Sequence, residues 1–218
     1  YSGMEDEQRK LYLAAHKQLV DQLQGIDSAY YEKNKIFILS QLTKLRQICC
    51  HPALCYDDYQ GSSAKLEACM ELVQRAVKGK HKVLLFSQFT SMLDLIEMLD
   101  LIRERLAEQN TKYYCLTGNT DKQERQRLVD EFQNDDTPVF LISLKAGGTG
   151  LNLTAADIVI HYDPWWNVAA QNQATDRAHR IGQKNTVTVY RLIAKDSLEE
   201  GIIKLQESKK ALSDDILS

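Results

Sequence analysis

From Leu66 onward, short apolar runs alternate with amphipathic segments that open on capping residues, and this alternation restricts the chain to few architectures. Leu66, Cys69, Met70, Val73 and Val77 mark a helix by their spacing of three and four. Val83 to Phe86 reads as a short buried strand. Ser91 and Asp94 fit a capping-box start for a helix carrying Met92, Ile96, Leu99, Ile102 and Leu106 inward. Tyr113 to Leu116 is a strand, and Thr120 with Gln123 opens a helix through Phe132. Pro138 to Ile142 and Ile158 to His161 are strands, Asn167 to about Arg180 a helix, and Val187 to Ile193 a strand. Ser197 with Glu200 caps a last helix that carries Leu198, Ile202 and Leu205. Apolar strands separated by helices predict an α/β fold, a parallel sheet with helices on both faces.

Two helices precede this core. Residues 4 to 24 place Leu11, Ala14, Ala15, Gln18, Leu19, Gln22 and Leu23 at helical spacing. Residues 36 to 50 do the same with Ile36, Leu39, Leu42, Leu45 and Ile48 or Cys49 on one side, and Pro52 stops the helix. The expected organisation is a helical extension over 1–60, the α/β lobe over 61–212 and a frayed tail over 213–218.

The net charge of −3 weakens any case for strong nucleic-acid affinity by this piece alone, since non-specific affinity comes mainly from basic surface. A local patch from Lys78, Lys80, Lys82, Lys122, Arg125 and Arg127 remains compatible with it, although solvated charge is the simpler reading of each. No run of about 20 apolar residues occurs, so no membrane-spanning helix is expected, nor is a secretory signal present. Five cysteines give an odd count without a secreted-type framework, which suits reduced thiols inside a cell. Cys49, Cys50, His51 and Cys55 invite a zinc reading, but adjacent cysteines are poor tetrahedral partners and no second pair follows at finger spacing. Buried thiols beside a helix end, and no metal, are expected there.

Chemistry concentrates after Phe140. An apolar strand runs into Ser143-Leu-Lys145-Ala-Gly147-Gly148-Thr149-Gly150-Leu-Asn152, and glycines there let the backbone approach a ligand. The end of a parallel strand is where α/β folds bind ligands. A second strand ends in Asp163-Pro164-Trp165-Trp166-Asn167. The segment from Gln173 to Gln183 follows, with Arg177 and Arg180 three residues apart and thus on one face of a helix. Two permanently charged, planar guanidiniums suit the clamping of a phosphate chain. Taken alone this is an ordinary solvated face; its neighbours favour the phosphate reading. His179 is read as packing or hydrogen-bonding within its helix.

In this order and wording the chain resembles the Swi/Snf-type ATPases, the chromatin-remodelling and DNA-repair branch of the helicase-like DNA translocases. The glycine loop resembles the family's motif V, Gln173 to Gln183 its motif VI, and Val83 to Phe89 its motif IV. Leu45-Arg46-Gln-Ile-Cys-Cys50-His51-Pro52 and Ser63-Ala-Lys65-Leu66 are similar to two further family runs. The resemblance covers about residues 42 to 205. Val168 stands where the family usually has proline, and Thr117 where aspartate is frequent.

The resemblance implies a RecA-like sheet and the second of two motor lobes. No G-x-x-x-x-G-K-[ST] loop and no Asp-Glu metal box occurs here, so ATP with Mg²⁺ is expected on an absent first lobe. A start at Tyr1 agrees with a fragment, and the isolated chain is expected to be inactive. Arg177 and Arg180 would be arginine fingers. Gly148, Gly150, Asn152 and Gln173 would shape or couple to the nucleotide side. Gln88, Thr117, Gly118, Ser143, Lys145 and Trp165 would meet a double-stranded DNA backbone without reading sequence. Expected partners are that DNA, the N-terminal RecA-like lobe and a DNA-bound protein cargo; the expected location is cytoplasm or nucleoid in a bacterium and nucleus in a eukaryote. Two alternatives stay open: a non-catalytic DNA- or protein-binding module, and a lobe of a strand-separating helicase.

Overall fold

The computed structural model of the protein describes residues 1–24, 28–89, 98–143, 151–165, 168–178 and 185–217. Five strands, β1 (Val83–Ser87), β2 (Tyr113–Leu116), β3 (Val139–Ser143), β4 (Ile158–His161) and β5 (Thr188–Arg191), form one parallel sheet in the order β2-β3-β1-β4-β5. Val83 lies opposite both Val139 and Ile158, so the three central strands start in step. Successive side chains of a strand point to opposite faces, and the apolar runs of β1 and β3 therefore feed two cores at once. Val83, Leu85, Val139 and Leu141 pack against α3 (Ala64–Lys78) and α4 (Met98–Glu108). Leu84, Phe86, Phe140 and Ile142 pack with α5 (Lys122–Asn134) and the end of α6 (Val168–Thr175).

The N-terminal helices α1 (Asp6–Leu23) and α2 (Ser28–Cys50) pair with each other and share a third core with Ala194 and Leu198, at the start of α7 (Leu198–Leu217). Ser2 bridges to Ala194, and Gln8 Nε2 donates to the Ile48 carbonyl at 2.9 Å. Beside this core lies a polar, deeply buried junction within the lobe. Lys65 of α3 meets Glu199 of α7 at 2.5 Å, both side chains 1% exposed. Burial works against the Lys65 charge, but the Glu199 carboxylate beside it leaves its pKa raised. Glu199 also accepts from Ala194 N at 2.7 Å, and the Lys65 ammonium stands over the Tyr162 ring. Tyr162 Oη and Ser63 Oγ both donate to the Cys50 carbonyl. The two runs around Cys50 and Lys65 thus meet at one junction.

Several boundaries differ from the sequence expectation. α2 starts at Ser28 rather than 36, because an established helix propagates through polar residues without an apolar stripe. Ile36 and Leu39, expected inward, are exposed, whereas Ile38 and Leu45 are buried: only the C-terminal half of α2 meets the lobe. The helix over 122–134 is capped by Asp121, whose carboxylate accepts from Gln123 N and Glu124 N; Thr120 Oγ1 instead accepts from Thr117 N in the preceding turn. Leu205 is exposed, and Ile202 with Ile203 takes the inward face of α7. α7 runs on to Leu217, into the tail expected over 213–218. The helix start at Ser91 and Asp94 lies outside the described residues, among which no helix is long and apolar enough to cross a membrane. Cys49, Cys50 and Cys69 are buried free thiols, and burial pushes Cys49 and Cys69 up to about 12.

Removing one partner of a buried ion pair strands the other charge. Lys65→Met is expected to lower unfolding stability by about 3–5 kcal/mol, and adding Glu199→Leu to recover most of that loss, as read from urea denaturation. A double variant no better than the single one would refute this account of the junction.

Candidate functional site

Because all strands are parallel, their carboxyl ends share one rim. Ligands bind outside that rim where the strand order reverses. Here β1 passes its chain toward β2 on one side and β3 returns it to β4 on the other, so the reversal flanks β1. Gln88, Thr117, Gly118 and Ser143 all stand at strand ends on this rim. Gly118, Asn152 and Gln173 are exposed, Gln88 and Thr117 half-buried, and Ser143 buried. Lys145, Gly148, Gly150, His179 and Arg180 lie outside the described residues.

The turn after β4 is the most tightly held part of the rim. Asp163 is fully buried, and its carboxylate accepts from Ser87 Oγ at 2.8 Å and Gln88 N at 3.2 Å. Burial raises its pKa, against the opposing charge of Arg46. The Pro164 carbonyl accepts from Arg46 Nη2 at 2.8 Å and from Gln88 Nε2 at 3.2 Å, and the Trp165 carbonyl accepts from Gln206 Nε2. Residues from β1, α2 and α7 therefore fix three successive positions. Arg46, with its guanidinium 5.2 Å from the Phe89 ring centroid, has a role that sequence reading did not assign; the run from Leu45 to Pro52 was its signal.

The structure places Trp165 in the core, 4% exposed. Its ring meets His161 edge-on at 5.6 Å. His161 in turn stacks on Phe86 at 5.6 Å with 22° between the planes, and the Arg177 guanidinium lies 5.7 Å from the centroid of that same Phe86 ring. Arg177 is 4% exposed. It does not sit within the helix, as its spacing from Arg180 suggests, but in the turn that follows α6. The helix ends because Arg177 N and Ala178 N donate three residues back, to Ala174 O and Thr175 O, which tightens the last turn. The Arg177 carbonyl accepts from Leu153 N at 3.1 Å and so ties the arginine turn to the segment leaving the glycine loop.

His161 is the residue sequence reading missed. Its Nε2 lies 3.0 Å from Thr175 Oγ1, and that hydroxyl donates to the Gln171 carbonyl. With that hydroxyl proton engaged, the tautomer that suits the arrangement carries its proton on Nε2. Burial, aided by the Arg191 charge, lowers the His161 pKa to about 3, so the ring is neutral. Its Nδ1 has no partner among the described residues, and neither end of the buried Gln171 amide has one. An unsatisfied buried polar atom costs about 1–3 kcal/mol. Stability is thus given up directly beneath the arginine turn.

A surface pocket of about 460 Å³ lies beside Leu151 and Asn152, with Lys122, Arg125, Asp130 and Gln133 on its α5 wall. Two of the residues considered for a local basic patch are engaged internally: Arg127 binds Glu124 and Glu131, and Lys82 Nζ donates to the Phe132 and Asp135 carbonyls. Among the described residues no group of three or more His, Cys, Asp or Glu could hold a metal ion.

Residues 64–182 match the helicase conserved C-terminal domain. The chain is 40% identical over 208 residues to an uncharacterized ATP-dependent helicase of Mycoplasma pneumoniae, covering 94% of this chain and 19% of that protein. The chain spans about a fifth of the length of the curated relatives it matches. The solved Sulfolobus solfataricus SWI2/SNF2 ATPase C-terminal domain superposes with a TM-score of 0.78 at 35% identity, covering 100% of this chain and 87% of that one. The S. solfataricus SWI2/SNF2 ATPase core in complex with dsDNA gives a TM-score of 0.81 at 37% identity, over 99% of this chain and 44% of that one.

The neutral imidazole has a pH consequence. Unfolded, His161 takes a proton near 6.5; folded, it resists one until about 3. Its contribution to stability is full above pH 6.5 and falls as pH drops toward 3, by up to about 1.4 kcal/mol per unit. Between pH 7.5 and 5 the wild-type chain is expected to lose about 2 kcal/mol more than His161→Leu in urea titrations, His51 and the other groups contributing to both. Equal losses would refute the buried neutral ring.

Proposed function

The chain belongs to the helicase conserved C-terminal domain family, in its Swi2/Snf2 branch, and from this we propose that it is the second motor lobe of a double-stranded-DNA-stimulated ATPase and translocase. One observation carries the reading most directly. The arginine turn, the exit of the glycine loop and the end of β1 meet through the Leu153–Arg177 hydrogen bond and the Phe86–Arg177 contact, at the rim where such sheets bind ligands. The double-stranded DNA held by the structurally similar Sulfolobus core supports the nucleic-acid half.

In this reading ATP with Mg²⁺ is held mainly by a first lobe and supplies the phosphoanhydride bond whose cleavage drives the motor. Arg177 and Arg180 act from this lobe, offsetting negative charge that develops on the phosphates when the lobes close. Permanent charge and a planar fork suit guanidiniums to that task. Gly148, Gly150 and Asn152 border the nucleotide side, and Gln173 couples it to the DNA side. Gln88, Thr117, Gly118 and Lys145 contact the DNA backbone, which positions the lobe without reading bases, while Ser143, fully buried, supports the end of β3 behind them. Trp165, being buried, contributes by holding the turn after β4 rather than by stacking on DNA. Repeated closing and opening steps the lobes along the duplex, carrying or displacing a DNA-bound protein. Its location is that of its DNA, cytoplasm or nucleoid in a bacterium and nucleus in a eukaryote.

A second reading, a binding module without turnover, is favoured by the burial of Arg177 at 4% exposure, which keeps that guanidinium off the surface of the lobe. The two readings separate on turnover. In the polypeptide carrying this lobe beside its nucleotide-binding lobe, Arg180→Ala and Arg177→Ala are each expected to lower DNA-stimulated ATP hydrolysis by about 10³-fold or more while ATP binding persists. The 218-residue chain alone is expected to show no turnover. No hydrolysis by the unaltered two-lobed polypeptide would leave the binding-module reading standing, and undiminished hydrolysis in both variants would refute the roles given to the two arginines.

A further inference from the structure

The stack beneath the arginine turn does more than fill space. Four side chains from three parts of the chain lie in series: Trp165 against His161, His161 on Phe86, and Arg177 over the same Phe86 ring. His161 also reaches sideways, donating from Nε2 to Thr175 Oγ1 at the last residue of α6. It therefore touches two of the supports of Arg177: the ring its guanidinium rests on, and the helix end from which its backbone departs.

We propose that His161 is a positioning residue for the arginine turn, setting through Phe86 and Thr175 where Arg177 is presented to the first lobe. The inference rests on the motor reading given above, but its geometric half does not. A packing role alone would be better served by leucine, which fits a buried strand end and leaves no nitrogen without a partner. The chain instead keeps a ring that is fully buried, with Nδ1 unpartnered among the described residues. Residues that break a local rule without a gain in stability mark functional positions. What the ring gains here is a directional hydrogen bond to the helix end combined with a flat face for Phe86.

The test uses three variants. His161→Leu removes the donor and keeps an apolar side chain. Thr175→Val removes the acceptor and keeps the shape. His161→Gln restores an Nε2 donor without the ring. In the 218-residue chain, nuclear magnetic resonance of the Arg177 side chain is expected to show the upfield displacement produced by the Phe86 ring. That displacement should be lost in His161→Leu and Thr175→Val and partly recovered in His161→Gln. Melting of His161→Leu at pH 7.5 is expected at or above the wild-type temperature. In the two-lobed polypeptide, kcat should fall about 10- to 100-fold in His161→Leu with the KM for ATP little changed, and His161→Gln should recover part of it. An unshifted Arg177 resonance in His161→Leu would overturn the proposal, as would a lowered melting temperature with no recovery in His161→Gln, since both describe a packing residue. Should Arg177→Ala itself leave turnover intact, the motor reading fails, and the resonance measurement still decides whether His161 sets the arginine's position.

Discussion

The buried meeting of Lys65 with Glu199 ties together parts of the chain that are far apart in the sequence. Lys65 opens α3, the first helix of the α/β lobe, and Glu199 opens α7, the last. Between them stands Tyr162, just past the end of β4, its ring beneath the ammonium and its hydroxyl on the Cys50 carbonyl at the end of α2. A buried pair is not in itself strong evidence for stability, because desolvation opposes the Coulomb attraction. What it supplies is register. The observed placement of α3 and α7 satisfies both charges and the Ala194 amide together.

The consequences run from that junction to the site. With α2 fixed at Cys50, Arg46 reaches the Pro164 carbonyl; with α7 fixed at Glu199, Gln206 reaches the Trp165 carbonyl. The turn after β4 is then held from both flanks while Asp163 anchors it to β1. A rim held so firmly can transmit a displacement of the extension to the arginine turn without dissipating it in loose side chains, because close-packed elements move as units. The region above α6 is built on the opposite terms. There His161 and Gln171 keep polar atoms without partners among the described residues, so the firmly held turn after β4 and a less satisfied layer beneath the arginine turn adjoin at Trp165 and His161.

Much of the fold was legible in the sequence, and the reasons are local. The helix over 64–78 and the strands over 83–87, 113–116, 139–143 and 158–161 follow from apolar spacing and length. Errors fell where local signals compete. Thr120 and Asp121 both fit a cap, and the aspartate won because its carboxylate reaches two amides while the threonine is occupied with the turn. The inward faces expected for Leu39 and Leu205 failed for a different reason: both residues lie at helical spacing, but their helices extend beyond the surface that would cover them.

The sequence by itself determined the α/β class, the order of the elements and the wording of the motifs, because strand length, periodicity and residue type are properties of neighbouring residues. It also determined that Gln88, Thr117, Gly118 and Ser143 share a rim, since a parallel sheet gathers its carboxyl ends by construction. Only the tertiary structure decided that Arg177 leaves its helix and lies buried on Phe86, that Trp165 belongs to the core and that His161 joins the two. It alone paired Arg46 with Pro164 and Lys65 with Glu199, across sequence separations of 118 and 134. Such contacts depend on how whole helices dock, and no periodicity in a window of neighbours encodes where a distant helix comes to rest.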